Sequence, residues 1–191
     1  PDMVNGQVMT VPVDQMILRL TTSLYDKKKT YDEYLRKGIL KEGDPFVIAI
    51  NRSSFMHPDP MLPLVIKCLF GVSDLVMKFP INTATGGPVR GAKSTTSWSG
   101  MPVLKKRTGG DVSMLFFENP ENVGISAVMY TTDSIINSPS DPELMGENIV
   151  TIHNPNAKNP IPQNFIVFGE ERMAKDDHLE IIRKAKKWSR Y

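Results

Sequence analysis

A mixed-sheet domain of the α/β or α+β class, with helices flanking the strands, is the architecture the sequence predicts. Three observations predict it. A helical stripe occupies Val11 to Lys37, a run of five apolar residues follows at Phe46 to Ile50, and more short strand-like runs come later. A helix, a buried strand, a second helix and further strands must share one core, which layers helices on a sheet. With 191 residues the chain can bury that core as a single domain without a disulfide or metal staple.

Each element has its own signature. In the first helix Val13, Ile17, Leu20, Leu24, Tyr31 and Leu35 fall on one stripe, Asp14 sits in the first turn, and Gly38 lies just past the end. Lys41 to Pro45 is a short linker. Phe46 to Ile50, bounded by turn signals, predicts a strand in the middle of the sheet. Asn51 to Pro60 follows its C-terminal end as a polar loop, which is where ligand crevices form in open α/β sheets. Met61 to Phe70 predicts a second helix with Gly71 as its stop and Pro63 tolerated in the first turn. Residues 80–110, rich in Gly, Ser and Thr, read as one long irregular loop. Val112 to Phe117 and Ile125 to Tyr130 read as strands joined by the Asn119–Asn122 turn, and Ile149 to Ile152 as a short last strand. Asp177 to Trp188 reads as a helix with Leu179, Ile182 and Ala185 inward, making 177–191 a basic C-terminal helix.

Composition narrows the function classes. One cysteine excludes an internal disulfide framework and a Cys-rich zinc site. The net charge of +2 does not make the chain a polycation, although its basic residues cluster. The first residues show neither a basic region nor an apolar core of a signal peptide. The strongest apolar stretch, Met61 to Val72, is interrupted by Lys67 and too short to span a bilayer. The expectation is a cytoplasmic protein with no membrane partner and a reduced Cys68. A start at Pro1 rather than Met suggests a piece of a longer chain.

Lys27 is the most informative single residue. It lies about 40° from the middle of the apolar stripe at 100° per residue, one turn before Tyr31. A lysine facing a core needs a partner, because an unpaired buried ammonium is costly. It either delivers a cation to a carboxylate or phosphate site, or snorkels its head to water over Leu24. Gly86 to Ser94 comes close to a P-loop, but Ala92 breaks the spacing and no clean strand precedes it, so a flexible loop is the better reading. His57, Asp59 and His153 could hold a divalent metal only if the fold gathered them, and loop-capping roles explain them as well. Cys68 sits within an apolar helix pattern, which disfavours a nucleophile. Lys105, Lys106 and Arg107 form one basic cluster. Arg183, Lys184, Lys186, Lys187 and Arg190, with Trp188 and Tyr191, form another. Cations beside aromatics suit nucleic acid, and a solvated face or frayed terminus is the simpler explanation.

Several of these segments occur together in one order. Arg19…Lys27-x-x-x-Tyr31…Gly38 precedes Asp44-Pro45-Phe46-Val47-Ile48-Ala49-Ile50-Asn51, then Ile125 to Tyr130, then His153-Asn154-Pro155-Asn156-Ala157. Over residues 13 to 165 the chain resembles a family of bacterial proteins of uncharacterised function that carries the "PFVIAIN", "SAV" and "HNPNA" motifs. Its helix–strand pair is similar to the second half of the PD-(D/E)XK nuclease core, a restriction-endonuclease-like fold. That resemblance implies Lys27 and Tyr31 as catalytic positions and Mg2+ as the cofactor of an intact protein. The Asp and Glu-x-Lys strands of that core should precede this helix, and only about ten residues do; no Glu-x-Lys lies downstream. The resemblance therefore implies the C-terminal part of a metal-dependent nuclease, without metal ligands in this chain and with a missing segment or partner chain supplying them. The alternative is a non-catalytic module that binds nucleic acid or protein. A small hydrolase built on His57, Asp59 and His153 is a third reading.

Overall fold

The computed structural model describes residues 12–52, 64–78, 80–87, 89, 95–133, 146–175 and 178–183. The first element is α1, Val13–Arg36, close to the span its stripe predicts. Asp14 faces the positive end of the helix dipole and Arg36 the negative end. The helix stops at Gly38, whose φ of 69° suits a residue without a β-carbon. Met16, Ile17, Leu20, Thr21, Leu24 and Tyr31 are its buried residues. The Thr21 hydroxyl is satisfied there, donating to the Ile17 carbonyl at 2.9 Å.

A five-stranded mixed sheet carries the rest of the core. Its strands are β1 (Phe46–Asn51), β6 (Ile125–Thr131), β7 (Val150–His153), β8 (Glu170–Lys175) and β9 (His178–Arg183), side by side in that order. β1 and β6 run parallel, β6 and β7 antiparallel, β7 and β8 parallel, β8 and β9 antiparallel. The C-terminal ends of β1, β6 and β9 therefore share one end of the sheet with the N-terminal ends of β7 and β8. Among the described residues there are also two antiparallel strand pairs, β2 (Val72–Lys78) with β3 (Thr95–Gly100) and β4 (Val103–Lys105) with β5 (Asp111–Ser113). α2 (Leu64–Phe70) packs against α1 through an almost wholly buried apolar surface. No helix among the described residues is long and apolar enough to cross a membrane.

The mixed α/β class is as the sequence predicts, and four local readings are corrected. β1 lies at a margin of the sheet, not in its middle. Its burial alternates, with Ile48 and Ile50 inward and Ala49 and Asn51 outward, and an apolar alanine on the open face disguised that alternation. The strands buried on both faces are β6, where Ile125 to Val128 are all buried, and β7, where Thr151 to His153 are. Residues 112–117 are not one strand. β5 ends at Ser113, after which the Phe116 and Phe117 amides donate to the Cys68 and Leu69 carbonyls at the end of α2. The 80–110 stretch contains β3, whose Ser and Thr residues read as loop, and β4. The C-terminal segment is strand rather than helix through Arg183. β-branched Ile181 and Ile182 suit an extended chain, and β8 supplies the hydrogen-bonding partner. Residues beyond Arg183, and the Met61–Pro63 start expected for α2, lie outside the described residues.

The His153–Ala157 turn is a staple between loops. The buried Asn154 amide donates to the Ile125 carbonyl at 2.8 Å and to the Asn122 carbonyl at 3.3 Å, while its oxygen accepts the Asn156 amide at 2.9 Å. Asn156 in turn donates to the Phe117 carbonyl at 3.0 Å. Buried backbone carbonyls need such partners, so the motif is accounted for by the fold.

Candidate anion-binding cleft

A cleft of about 540 Å³ opens where β1 ends, between that strand end, the outer side of α1 and the β4–β5 turn. Leu18, Leu20 and Ile50 form its apolar floor, and Thr22, Ser23 and Asn51 add polar groups. Arg19, Arg52 and Lys106 bring three cations to it, and no Asp or Glu is among the described residues that line it.

Each cation arrives by a different route. Arg19 projects from α1 on the exposed side of the helix. Arg52 follows β1 directly, and its amide extends the parallel pairing by donating to the Thr131 carbonyl at 2.8 Å. Its side chain is buried, with Nη1 donating to the Tyr130 hydroxyl at 3.2 Å. Burial pushes the Tyr130 hydroxyl up to about 12, and the neighbouring guanidinium opposes the shift. Tyr130 is therefore a neutral acceptor that steers the Arg52 head. Lys106 lies in the tight turn of the hairpin, whose Lys106 amide donates to Gly110 at 2.8 Å and whose Gly109 amide donates back to Lys106 at 2.9 Å. Lys105 and Arg107 are exposed on either side of it. A concave surface whose described lining carries only positive formal charge raises the local concentration of an anion.

The other sequence candidates fall elsewhere. Lys27 is exposed, so its inward orientation is corrected. The buried face of α1 drifts along the helix, from Met16 on one flank to Thr21 and half-buried Tyr25 on the other. Beside Tyr31 that drift selects Lys28, whose side chain is 14% exposed. Its ammonium lies 2.8 and 2.7 Å from the two Asp32 oxygens and 6.0 Å from the centre of the Tyr31 ring. Tyr31 itself is packed against Phe46, with ring centres 5.1 Å apart, and over Gly124. Burial raises its hydroxyl pKa above the usual value.

Arg183 is engaged beneath a loop. It donates to the Gly169, Phe168 and Ile166 carbonyls and pairs with Glu171 at 3.5 Å. Lys184, Lys186, Lys187 and Arg190 lie outside the described residues, as do His57, Asp59 and most of the Gly86–Ser94 segment. His153 is buried against Glu171. Cys68 is buried in α2, and desolvation pushes its thiol up to about 11, which suits a packed thiol and not a nucleophile. Among the described residues no three His, Cys, Asp or Glu side chains are placed to hold a metal ion.

The structure thus joins one expected cation, Lys106, to Arg19 and Arg52, which the sequence did not single out as site residues. Arg52 had a signal, standing immediately after the apolar strand at the predicted crevice. Arg19 stands at the head of the resembling segment but received no role, since an arginine on the open side of a helix is ordinary. No family model, curated protein or solved structure matches the chain.

Proposed function

We propose that this chain is a non-catalytic binding module for the phosphate backbone of nucleic acid, engaged at the Arg19–Arg52–Lys106 cleft. The observation that carries the reading is the gathering of three cations from a helix, a strand end and a hairpin around one concave surface, with no carboxylate among the described residues that line it. The exposed Arg19 fork suits phosphate oxygens, buried Arg52 adds charge from beneath, and Lys105 and Arg107 extend the positive surface along a strand of phosphates. Such binding is salt-dependent and largely blind to sequence. The nuclease reading depended on Lys27 facing inward, and Lys27 faces solvent.

Fluorescence anisotropy with labelled single-stranded and duplex oligonucleotides tests it. The expected result is binding at low salt that weakens linearly in log–log form. Arg19→Ala and Lys106→Ala should each reduce the salt slope by about one. Binding indifferent to both substitutions, or no binding at low salt, overturns the proposal. Mg2+-dependent cleavage of the oligonucleotide would return the chain to the nuclease class.

A further inference from the structure

At the same end of the sheet, by the opposite margin, an apolar loop stands in solvent. Asn159 to Gly169 contains no charged residue. Phe165 is 66% exposed, Val167 80% and Phe168 38%. A cluster of that kind marks an interaction surface more often than an accident of folding.

The loop is fixed from beneath. Asn164 has a φ of 59°, which asparagine tolerates, and its amide donates to both Glu171 oxygens at 3.0 and 3.1 Å. The Phe165 amide donates to the Pro162 carbonyl at 3.2 Å. Arg183 satisfies the carbonyls of Ile166, Phe168 and Gly169. The tip therefore presents apolar side chains outward while many of its backbone polar groups are satisfied inward. Entry into an apolar medium demands that arrangement, because an unsatisfied backbone group costs several kcal/mol there.

Charge supplies the second observation. Arg183, which grips the loop, is also where the described chain ends. The sequence continues with Lys184, Lys186, Lys187 and Arg190, together with Trp188 and Tyr191, and has no acidic residue after Glu180. Cations and aromatics thus follow, in sequence, the residue that holds the apolar tip.

We propose that loop 163–169 is a docking surface for an anionic lipid bilayer. Phe165, Val167 and Phe168 enter the interfacial region, and the residues after Arg183 pair with acidic headgroups. A surface contact of this kind needs no spanning helix. The proposal does not rest on the nucleic-acid reading of the cleft, and the two fail separately.

Flotation of the full chain with vesicles of phosphatidylcholine alone, or of phosphatidylcholine with phosphatidylserine, is the test. The expected result is partition onto the serine-lipid vesicles that weakens with salt. Phe165→Ser with Val167→Ser, both at exposed positions and checked for folding by circular dichroism, should cut partition about tenfold or more. Deletion of 184–191 should remove the preference for serine lipid, at about fivefold per lost cation. Arg19→Ala with Lys106→Ala should leave partition unchanged, whatever it does to oligonucleotide binding. The proposal is overturned by absence of partition, or by a loop variant that partitions like the parent. A loop variant that converts a dimer to a monomer with partition intact also overturns it, and assigns the loop to self-association. Loss of oligonucleotide binding on tail deletion, without any vesicle binding, assigns the tail to nucleic acid and overturns it too.

Discussion

The Nε2 atom of His153 lies 2.6 Å from Oε1 of Glu171, with the two side chains 3% and 1% exposed. This pair ties the end of β7 to β8, and the same carboxylate accepts the Asn164 amide and faces the Arg183 guanidinium. One buried acid thus organises a histidine, a left-handed turn and an arginine. Glu171→Ala leaves those donors without their acceptor and should cost about 3–5 kcal/mol. Glu171→Gln keeps an acceptor oxygen and should cost less. Urea denaturation of both variants checks the order, and equal losses would contradict it.

Gly124 is required by the ring above it. A β-carbon there would lie 2.2 Å from the Tyr31 hydroxyl oxygen and within 2.7 Å of two ring carbons. Gly124→Ala should destabilise by about 1–3 kcal/mol through overpacking. Combined with Tyr31→Ala, the added methyl should become nearly neutral, giving a large coupling in a double-mutant cycle. Additive losses would show that the glycine serves the backbone and not the tyrosine.

Cys68 makes stability depend on alkaline pH. Burial holds its thiol neutral up to about pH 11 in the fold, against an ordinary value of 9.0. The unfolded chain releases that proton first, so the contribution is whole below about pH 9 and is lost between 9 and 11 as pH rises. Cys68→Ala should be less stable at neutral pH and should show a shallower decline across that window. Comparison with the parent removes the contribution of Tyr130, which is raised in both. Thiol reagents should modify Cys68 only at the rate of unfolding, and fast modification of the native protein would refute its packed state.

Lys27 and Lys28 should part company. Lys27→Ala should change stability by no more than about 0.5 kcal/mol, as an exposed substitution does. Lys28→Ala removes the Asp32 pair and the aliphatic cover over Tyr31, at about 0.5–1 kcal/mol. Thermal melts of the two variants decide it, and the reverse order would restore the inward position to Lys27.

What the sequence revealed follows from how local each signal is. α1 and Gly71 announced themselves because a 3.6-residue stripe and a stop glycine are written in consecutive residues. β1 was visible as a strand but not as a marginal one, since Ala49 on its open face is apolar. β9 could pass for a helix because Leu179 and Ile182 stand three apart, a helical spacing, and the strand accommodates them only with an irregular register against β8. The cleft was half legible. Lys106 stood out in a basic triplet, whereas Arg19 joins it only through the packing of α1 beside β1. Glu171 gave no sign at all, because its partners lie 18 residues before it at His153 and 12 after it at Arg183.

The order in which the chain is synthesised gives the β1–β6 pairing a cost in time. The Phe46 amide reaches the Ser126 hydroxyl across 80 residues. At about 5–20 residues per second, β1 leaves the ribosome roughly 4–16 seconds ahead of the strand it must join. Throughout that interval the greasy side of the nascent N-terminal segment lacks its permanent cover. The pairing is complete only once residue 131 has been translated and released from the exit tunnel.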